Sequence, residues 1–470
     1  MVDELAAALG ARLGGTVSGL RRLSGGASRI TSAFDLAVPG QGGHTTRALV
    51  LQRDRSKAPA NTVTTQRARI HLEGALLKAA HDRGVPVPEV VALGDGEDDG
   101  FGTPWLVVER LDGETIPRKI LRDPEWNEAR AALTSQCGRA LAGIHGIDRA
   151  AIPGLPPHDP LRDPLPLLDA LREVRPALEL GVRWLQAHRP RAGPDVTVHG
   201  DFRLGNLLVG RRGLRGVLDW ELAHAGDAAE DIGWLCAPAW RFGGIGEVGG
   251  FGALQALLAA YREAGGEVMT PVRVHWWQVY ATVKWATICA LQASAHLSGA
   301  TRSVELAAIG RRVCESEWDL FVLLGVPPPA AAPPDEGTPP DPRSTTAAAG
   351  MHLPPFGRPT AAELVEAVRE HLEAVMARTE GGEHFEARVA RNALGTVERE
   401  LRLGPAIAAA HSARVHALGH VDDAALTAAI RSGAYDDDDR WATVAGALAA
   451  SARDQLLVAN PSYLPPPASA

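Results

Sequence analysis

The spacing of apolar residues changes character several times along the chain. An amphipathic run at 2–13 predicts a short helix. Strand-like runs follow around 20–23, 30–38 and 48–53, with the turn Ser24-Gly25-Gly26-Ala27-Ser28 between the first two. A helical pattern covers 68–82, then comes Val85-Pro86-Val87-Pro88, then a strand at 105–109. Beyond Asp112-Gly113 the period becomes helical and predicts helices at 124–145 and 164–187. The β-branched run Val196-Thr197-Val198 interrupts them. Leu207-Leu208-Val209 and Val217-Leu218 flank the turn residues Gly210, Gly213 and Gly216, which predicts a hairpin. Helices resume at 251–264, 271–297 and 302–324.

The stretch from Pro327 to Pro359 holds 11 of the chain's 34 prolines, a density that helices and central strands do not tolerate. It predicts an extended, partly stiff linker. Beyond it, Thr360-Ala361-Ala362-Glu363 has the form of a capping box. Leu364, Val368, Leu372, Val375 and Met376 then follow at helical spacing, and Phe385, Val389, Ala393, Val397 and Leu401 repeat the habit. Further helices fit 406–418, 423–431 and 441–458. The expected division is 1–326, then a linker at 327–359, then a small antiparallel bundle at 360–470. Asp436-Asp437-Asp438-Asp439 falls between two of these helices and is expected to be a solvated loop, because four consecutive side chains do not converge on one ion.

Composition narrows the function classes. Of the 470 residues, 45% are hydrophobic and 22% charged, as in a globular protein. The net charge of −8 argues against general nucleic-acid binding. No segment is apolar enough for long enough to span a bilayer. The four cysteines, Cys137, Cys236, Cys289 and Cys314, are far apart, which disfavours a disulfide framework or zinc site and fits a cytoplasmic setting. The acidic start Met1-Val2-Asp3-Glu4 is unlike a signal peptide.

The chemistry is concentrated in His199-Gly200-Asp201-Phe202-Arg203-Leu204-Gly205-Asn206 and Val217-Leu218-Asp219-Trp220. An Asp, an Asn and a second Asp stand in the order and spacing of a phosphotransferase. One carboxylate can orient an attacking hydroxyl, while the Asn and the second Asp can hold Mg2+ against nucleotide phosphates. The hairpin would carry Asn206 and Asp219 at the same end.

These segments resemble the aminoglycoside phosphotransferase and choline kinase superfamily. LSGGASRITSAFDL is similar to its nucleotide loop, EGALLKAAHDRGVPVPEVV to its N-lobe helix and exit, and WLVVERLDGETIP to its hinge. The wording is closest to the kinase-like domains associated with acyl-CoA dehydrogenases. The C-terminal unit resembles a helical domain of unknown function found with such phosphotransferases. The resemblance implies an α+β, protein-kinase-like bilobal fold, with an N-lobe to about residue 111 and a helical C-lobe over about 112–326. It also implies a cytoplasmic, Mg2+-dependent small-molecule kinase using ATP or GTP. Asp201 and Arg203 match catalytic-loop positions, and Asn206 and Asp219 match the metal ligands. Ser24, Gly25, Gly26, Ala27 and Ser28 would cover the phosphates, and Glu109, Arg110 and Leu111 would meet the base. His199 is expected to be scaffold, as are Asp227 and Asp231.

One position departs from the family pattern. The helix residue Glu73 should pair with a strand Lys or Arg, but the matching position is Gln52, which carries no charge. Arg53 is adjacent, yet successive strand residues face opposite sides, so it serves only if the strand twists, bulges or shifts register. For the acceptor, Trp277, Tyr280 and Lys284 share one face of the 271–297 helix, which has no acids. A Lys there suits an anionic acceptor such as a hydroxyacyl-CoA better than a polyamine antibiotic. The alternatives are an antibiotic phosphotransferase and a nucleotide-binding, pseudokinase-like regulator, with Gln52 favouring the latter. The C-terminal bundle is a candidate docking module for a protein partner.

Overall fold

A computed structural model describes residues 2–23, 29–40, 43–54, 60–96, 99–162, 169, 173–191, 193–329 and 360–465. Helix α1 (Val2–Leu13) leads into β1 (Thr16–Arg22), β2 (Arg29–Gly40) and β3 (Gly43–Asp54). Then come α2 (Ala60–Asp82), β4 (Val90–Gly94), β5 (Trp105–Glu109), α3 (Pro117–Arg122), α4 (Asn127–His145) and α5 (Pro176–Ala187). Two small strand pairs are formed by β6 (Asp195–Val198), β7 (Leu207–Gly210), β8 (Gly213–Val217) and β9 (His224–Asp227). The remaining helices are α6 (Ala229–Cys236), α7 (Leu254–Glu263), α8 (Pro271–Leu297), α9 (Val304–Ile309), α10 (Val313–Leu323), α11 (Ala361–Met376), α12 (Gly381–Ala417), α13 (Asp423–Arg431) and α14 (Asp438–Ala459). The chain divides into two compact units, residues 1–159 with 190–278, and residues 160–189 with 279–470.

The first unit opens with a five-stranded antiparallel sheet in the order β1-β2-β3-β5-β4. Strands β2 and β3 pair without a bulge from Arg29 opposite Asp54 to Gly40 opposite Gly43. Alternation therefore puts Leu49, Leu51 and Arg53 on one face and Gln52 on the other. The first face is apolar: Phe34, Leu49, Leu51, Trp105 and Val107 bury themselves against Leu9 of α1. On the other, Gly74 of α2 lets the helix approach Leu93 of β4; an added Cβ would lie 2.5 Å from the leucine side chain. The sheet is followed by helices and two short strand pairs, β6 with β9 and β7 with β8.

In the second unit the C-terminal helices share a core with helices that precede the proline-rich stretch. Leu180 of α5 and Trp318 and Phe321 of α10 are buried with Leu426 and Ile430 of α13 and Leu448 of α14. Polar contacts reinforce the join. Arg431 Nε donates to Glu179 at 2.7 Å, Tyr463 Oη donates to Asp319 at 2.7 Å, and Arg183 pairs with Asp436. Thr360 and Glu363 form the expected capping box. Residues 330–359, most of the expected linker, lie outside the described residues.

Several elements differ from the sequence expectation. The helix expected from the Phe385–Leu401 stripe and the one expected at 406–418 are one 37-residue helix, α12, with Pro405 inside it. Proline removes one helical hydrogen bond, but Leu403 and Ile407 on either side pack against Val458 of α14, so tertiary contact carries the helix through. Within the Asp436–Asp439 run, Asp437 caps α14 by accepting from Arg440 N at 3.0 Å. All four cysteines are free and buried. Among the described residues no helix is long and apolar enough to cross a membrane.

The shared core makes a prediction. A chain stopped after residue 326 would expose Leu180, Trp318 and Phe321, each worth about 1.5–3 kcal/mol of burial. It is expected to aggregate or to melt well below the full chain; a monomeric truncation with an unchanged melting temperature would contradict the shared core.

Candidate active site

The expected catalytic loop leaves β6, which pairs with β9 so that Val198 faces His224. Its backbone is held by Asp231 of α6, which is fully buried. Asp231 Oδ2 accepts from His199 N at 2.8 Å, and Oδ1 accepts from Gly200 N at 2.9 Å. His145 Nε2 adds a third contact at 3.2 Å. Burial pushes this carboxyl up, but the bond and charge of His145, with His199 beside it, outweigh burial and hold it low. Gly200 has φ +81, and a Cβ there would sit 2.4 Å from Leu222 O, so the turn admits only glycine.

His199 is fully buried and bonds at both ring nitrogens. Nδ1 accepts from Asp201 N at 3.2 Å, so Nε2 donates to Leu218 O at 3.1 Å. Burial lowers its pKa and favours this neutral form. Its two bonds tie the catalytic loop to the end of β8.

Asp201 is surrounded by donors. Arg203 Nε and Trp234 Nε1 donate to Oδ1 at 2.9 and 2.8 Å, and Asn206 Nδ2 donates to Oδ2 at 2.6 Å. The Asn206 nitrogen is thereby committed to Asp201, and its amide oxygen is the atom it can offer a cation. Arg203 also lies over the Trp240 ring, 4.8 Å from the centroid. The sequence reading missed both tryptophans. Trp234 carried a usable signal, because it stands three residues after Asp231 on α6 and so shares its face.

The hairpin delivers Asp219 to the same place. Leu207 pairs with Val217, and Leu218 N donates to Asn206 O at 2.9 Å. The hairpin is itself anchored: Val217 N bonds Pro86 O at 2.8 Å and Leu214 N bonds Gln136 Oε1 at 2.7 Å. Asp219 has φ +64, one of two non-glycine residues in the left-handed region among those described. Its side chain reaches solvent. The protein around it, together with the like charges of Glu221, Asp201 and Glu73, pushes its carboxyl up to about 6. Because water screens the group, this crowding marks a place for a cation more than a large loss of stability.

The nucleotide-side expectations fare unevenly. Ser24, Gly25, Gly26, Ala27 and Ser28 lie outside the described residues. Arg53 does not replace a base at Gln52: with no bulge in the strand pair it faces the apolar side, where its Nη1 donates to Phe101 O at 3.3 Å. Glu73 is nevertheless paired, with Arg29 at the start of β2. Arg29 Nη1 also lies 3.3 Å from Gln52 Oε1. The sequence reading passed over Arg29, although LSGGASRI places it directly after Ser28. In the expected hinge, the N–H groups of Glu109 and Arg110 are taken by Glu89 O and Ala48 O, both at 2.9 Å, and the Arg110 side chain pairs with Asp35 at 2.7 Å. Leu111 is half-buried.

Of the acceptor candidates, Trp277 and Tyr280 are buried at 4% and 2% exposure. Trp277 packs on Gly233 of α6, where an added Cβ would lie 2.5 Å from the Trp277 Cβ. Lys284 is half-buried, its Nζ 5.8 Å from the centre of the Tyr280 ring. Near the catalytic loop, His224 Nε2 meets Glu230 Oε2 at 2.9 Å and the His158 ring lies 4.6 Å from the His224 ring, bracing β9 against α6.

Comparison with known proteins bears on the family and the fold. Residues 20–275 match the phosphotransferase enzyme family (APH), and residues 377–463 match a domain of unknown function (DUF6285). Acyl-CoA dehydrogenase family member 10 of Mus musculus is 31% identical over 205 residues, 40% of this chain and 18% of that protein. Viomycin phosphotransferase of Streptomyces vinaceus is 31% identical over 169 residues, 33% of this chain and 56% of that protein. The chain thus spans less than two thirds of either curated relative. A solved structure from Ralstonia eutropha, assigned as an aminoglycoside phosphotransferase, superposes with a TM-score of 0.54 at 20% identity over 69% of this chain and 98% of that one. That likeness concerns the fold, which is kinase-like: an antiparallel sheet followed by a helical region. The family match covers more than half of the sequence, and the chain belongs to the phosphotransferase enzyme family.

Proposed function

We propose that the chain moves the γ-phosphoryl group of ATP or GTP in line to a hydroxyl of a small molecule. The observation that carries this reading is the cluster of Asp201, Asn206 and Asp219, held together by the Asn206–Asp201 bond and the Leu218–Asn206 backbone bond. Asp201 receives the acceptor hydroxyl, orients its oxygen and takes its proton late in the transfer. Three donors hold the Asp201 carboxylate in place, so no reorganisation is needed as the reaction proceeds. Arg203, fixed against Asp201 and Trp240, supplies positive charge beside the acceptor.

The residues fit a magnesium ion. Asn206 and Asp219 offer hard oxygen ligands, and the raised Asp219 carboxyl stands where a cation relieves repulsion. When bound, Mg2+ offsets charge on the transferring phosphates. Asp201→Asn is expected to leave Mg2+–nucleotide affinity within a few-fold of wild type while reducing turnover by about 10²–10⁴-fold, the usual worth of a positioned acid–base group. Steady-state kinetics with parallel nucleotide titrations check this, and an unchanged rate would remove Asp201 from its role.

A hydroxyacyl-CoA-type compound is the first acceptor class to test, supported by the similarity to a protein named for acyl-CoA dehydrogenation. The similarity to viomycin phosphotransferase makes an antibiotic the second. A phosphoryl-transfer screen of both classes with ATP and GTP separates them.

The raised Asp219 carboxyl also sets a pH dependence. Mg2+ needs the carboxylate, and a proton competes for it as pH falls through about 6. Mg2+ affinity should therefore rise with pH, by about tenfold per unit below 6, and level off above it. In folding terms the raised carboxyl has the opposite sign. The metal-free fold is favoured below the unfolded value, and this advantage is lost as pH rises through about 6. Calorimetric Mg2+ titrations at pH 5 and 7, with Asp219→Asn expected to bind weakly at both, check this; pH-independent affinity would exclude Asp219 as a ligand.

A further inference from the structure

We propose that His158, His224 and Glu230 hold a transition-metal ion of the zinc type, at a site made of other residues than Asn206 and Asp219. The site uses no cysteine and does not depend on the phosphoryl-transfer reading.

The backbone brings the three side chains together. Residues 156–158 run beside β9: Ala225 N donates to Pro156 O at 2.8 Å, and His158 N donates to Ala225 O at 3.1 Å. His224 opens β9, and Glu230 stands in the first turn of α6. His224 Nε2 lies 2.9 Å from Glu230 Oε2, and His158 Nε2 lies 3.8 Å from Glu230 Oε1. One ligand atom from each residue falls within 4.8 Å of the other two. Donors bound at about 2.0–2.2 Å around a tetrahedral ion stand about 3.3–3.5 Å apart, between the two measured spacings.

The hydrogen bonding of His224 favours an ion. Its Nδ1 lies 2.8 Å from Leu222 O, and a carbonyl only accepts, so Nδ1 carries a proton. Nε2 then faces a carboxylate, and either a further proton or a metal ion has to stand between them. A proton serves one imidazole. The second imidazole, with its ring centre 4.6 Å from the first, shares the same carboxylate, and an ion with three protein ligands uses all of them. A ligating His that donates its other N–H to a backbone carbonyl is held in orientation by it. Two imidazoles and a carboxylate suit zinc, whereas Mg2+ prefers oxygen alone. The side chains of His158, His224 and Glu230 are 14%, 9% and 2% exposed, so the ion sits in the interior.

The place of the site gives it a task. Val198, which leads into the catalytic loop, pairs with His224, and a Cβ on Gly200 would lie 3.2 Å from His224 Cε1. Glu230 directly precedes Asp231, which holds the loop backbone. The ion therefore braces the base of the loop and touches no reacting group.

The experiment strips the full chain with a chelator and titrates it with Zn2+, and with Co2+ as a spectroscopic probe, in excess Mg2+. Wild type and Asp219→Asn are each expected to take up one Zn2+ per chain by elemental analysis. Both should melt at a higher temperature with it, because a ligand that binds only the folded state stabilises that state. His158→Ala and Glu230→Gln are expected to lose at least about 100-fold in zinc affinity, the upper end of what loss of an outer-shell partner costs, and the thermal shift with it. His158→Cys exchanges one zinc ligand for another. It is expected to keep the ion and, with Co2+, to gain a thiolate-to-cobalt charge-transfer band that wild type lacks. This variant keeps the test decisive if the other two do not fold. A wild type that takes up no Zn2+ overturns the proposal. So does a His158→Ala that binds Zn2+ like wild type, or a His158→Cys without the new band. Zinc lost in Asp219→Asn but kept in His158→Ala would place the ion at Asn206 and Asp219 and overturn it as well.

Discussion

The site depends on one buried carboxylate. Asp231 touches no reacting atom in the proposed chemistry, yet it takes the N–H groups of His199 and Gly200 and thereby shapes the loop that carries Asp201. An unpaired backbone N–H in the interior costs about as much as a lost hydrogen bond, and here two consecutive ones are satisfied by one ionised group. His145 bonds the same carboxylate and Tyr261 Oη lies 2.8 Å from its other nitrogen, so the support extends from α6 to α4 and α7. If Asp231 were lost, the loop would have to find new partners for both N–H groups at once.

From that anchor the rest follows by short links. His199 joins the loop to Leu218 O, and Asn206 O joins the far end of the loop to Leu218 N. The peptide groups of a single residue, Leu218, therefore receive both ends of the catalytic loop. Asp219 is the next residue, and its left-handed backbone turns it away from the hairpin. Strain of this kind in a non-glycine residue tends to collect at working sites. The carboxylate and amide brought together are the two proposed above as metal ligands.

Much of this was legible in the sequence because the chemistry is local. Asp201, Asn206 and Asp219 lie within 19 residues, and a hairpin between two of them fixes their approach. What escaped was non-local. Arg29 and Glu73 are 44 residues apart, and no periodicity links a strand start to a helix interior. The expectation at Gln52 followed strand β3 alone, whereas the sheet places the start of β2 on the same face. Trp234 was missed for a milder reason: a tryptophan on an apolar helix face ordinarily fills core, and only its indole N–H, 2.8 Å from Asp201, gives it a second task. Trp277 and Tyr280 show the reverse, an aromatic stripe that is buried.

The core shared by α5, α10 and the last two helices has a consequence for how this chain can change over time. Phe321 and Leu426 belong to one apolar cluster although the proline-rich stretch lies between them in sequence. Substitutions at such neighbours are not additive, because each alters the space the other fills. The helical segment beyond the stretch is therefore not an interchangeable cassette. Its sequence and that of α10 are constrained to drift together, and a change on one side of the join is accommodated only by a matching change on the other.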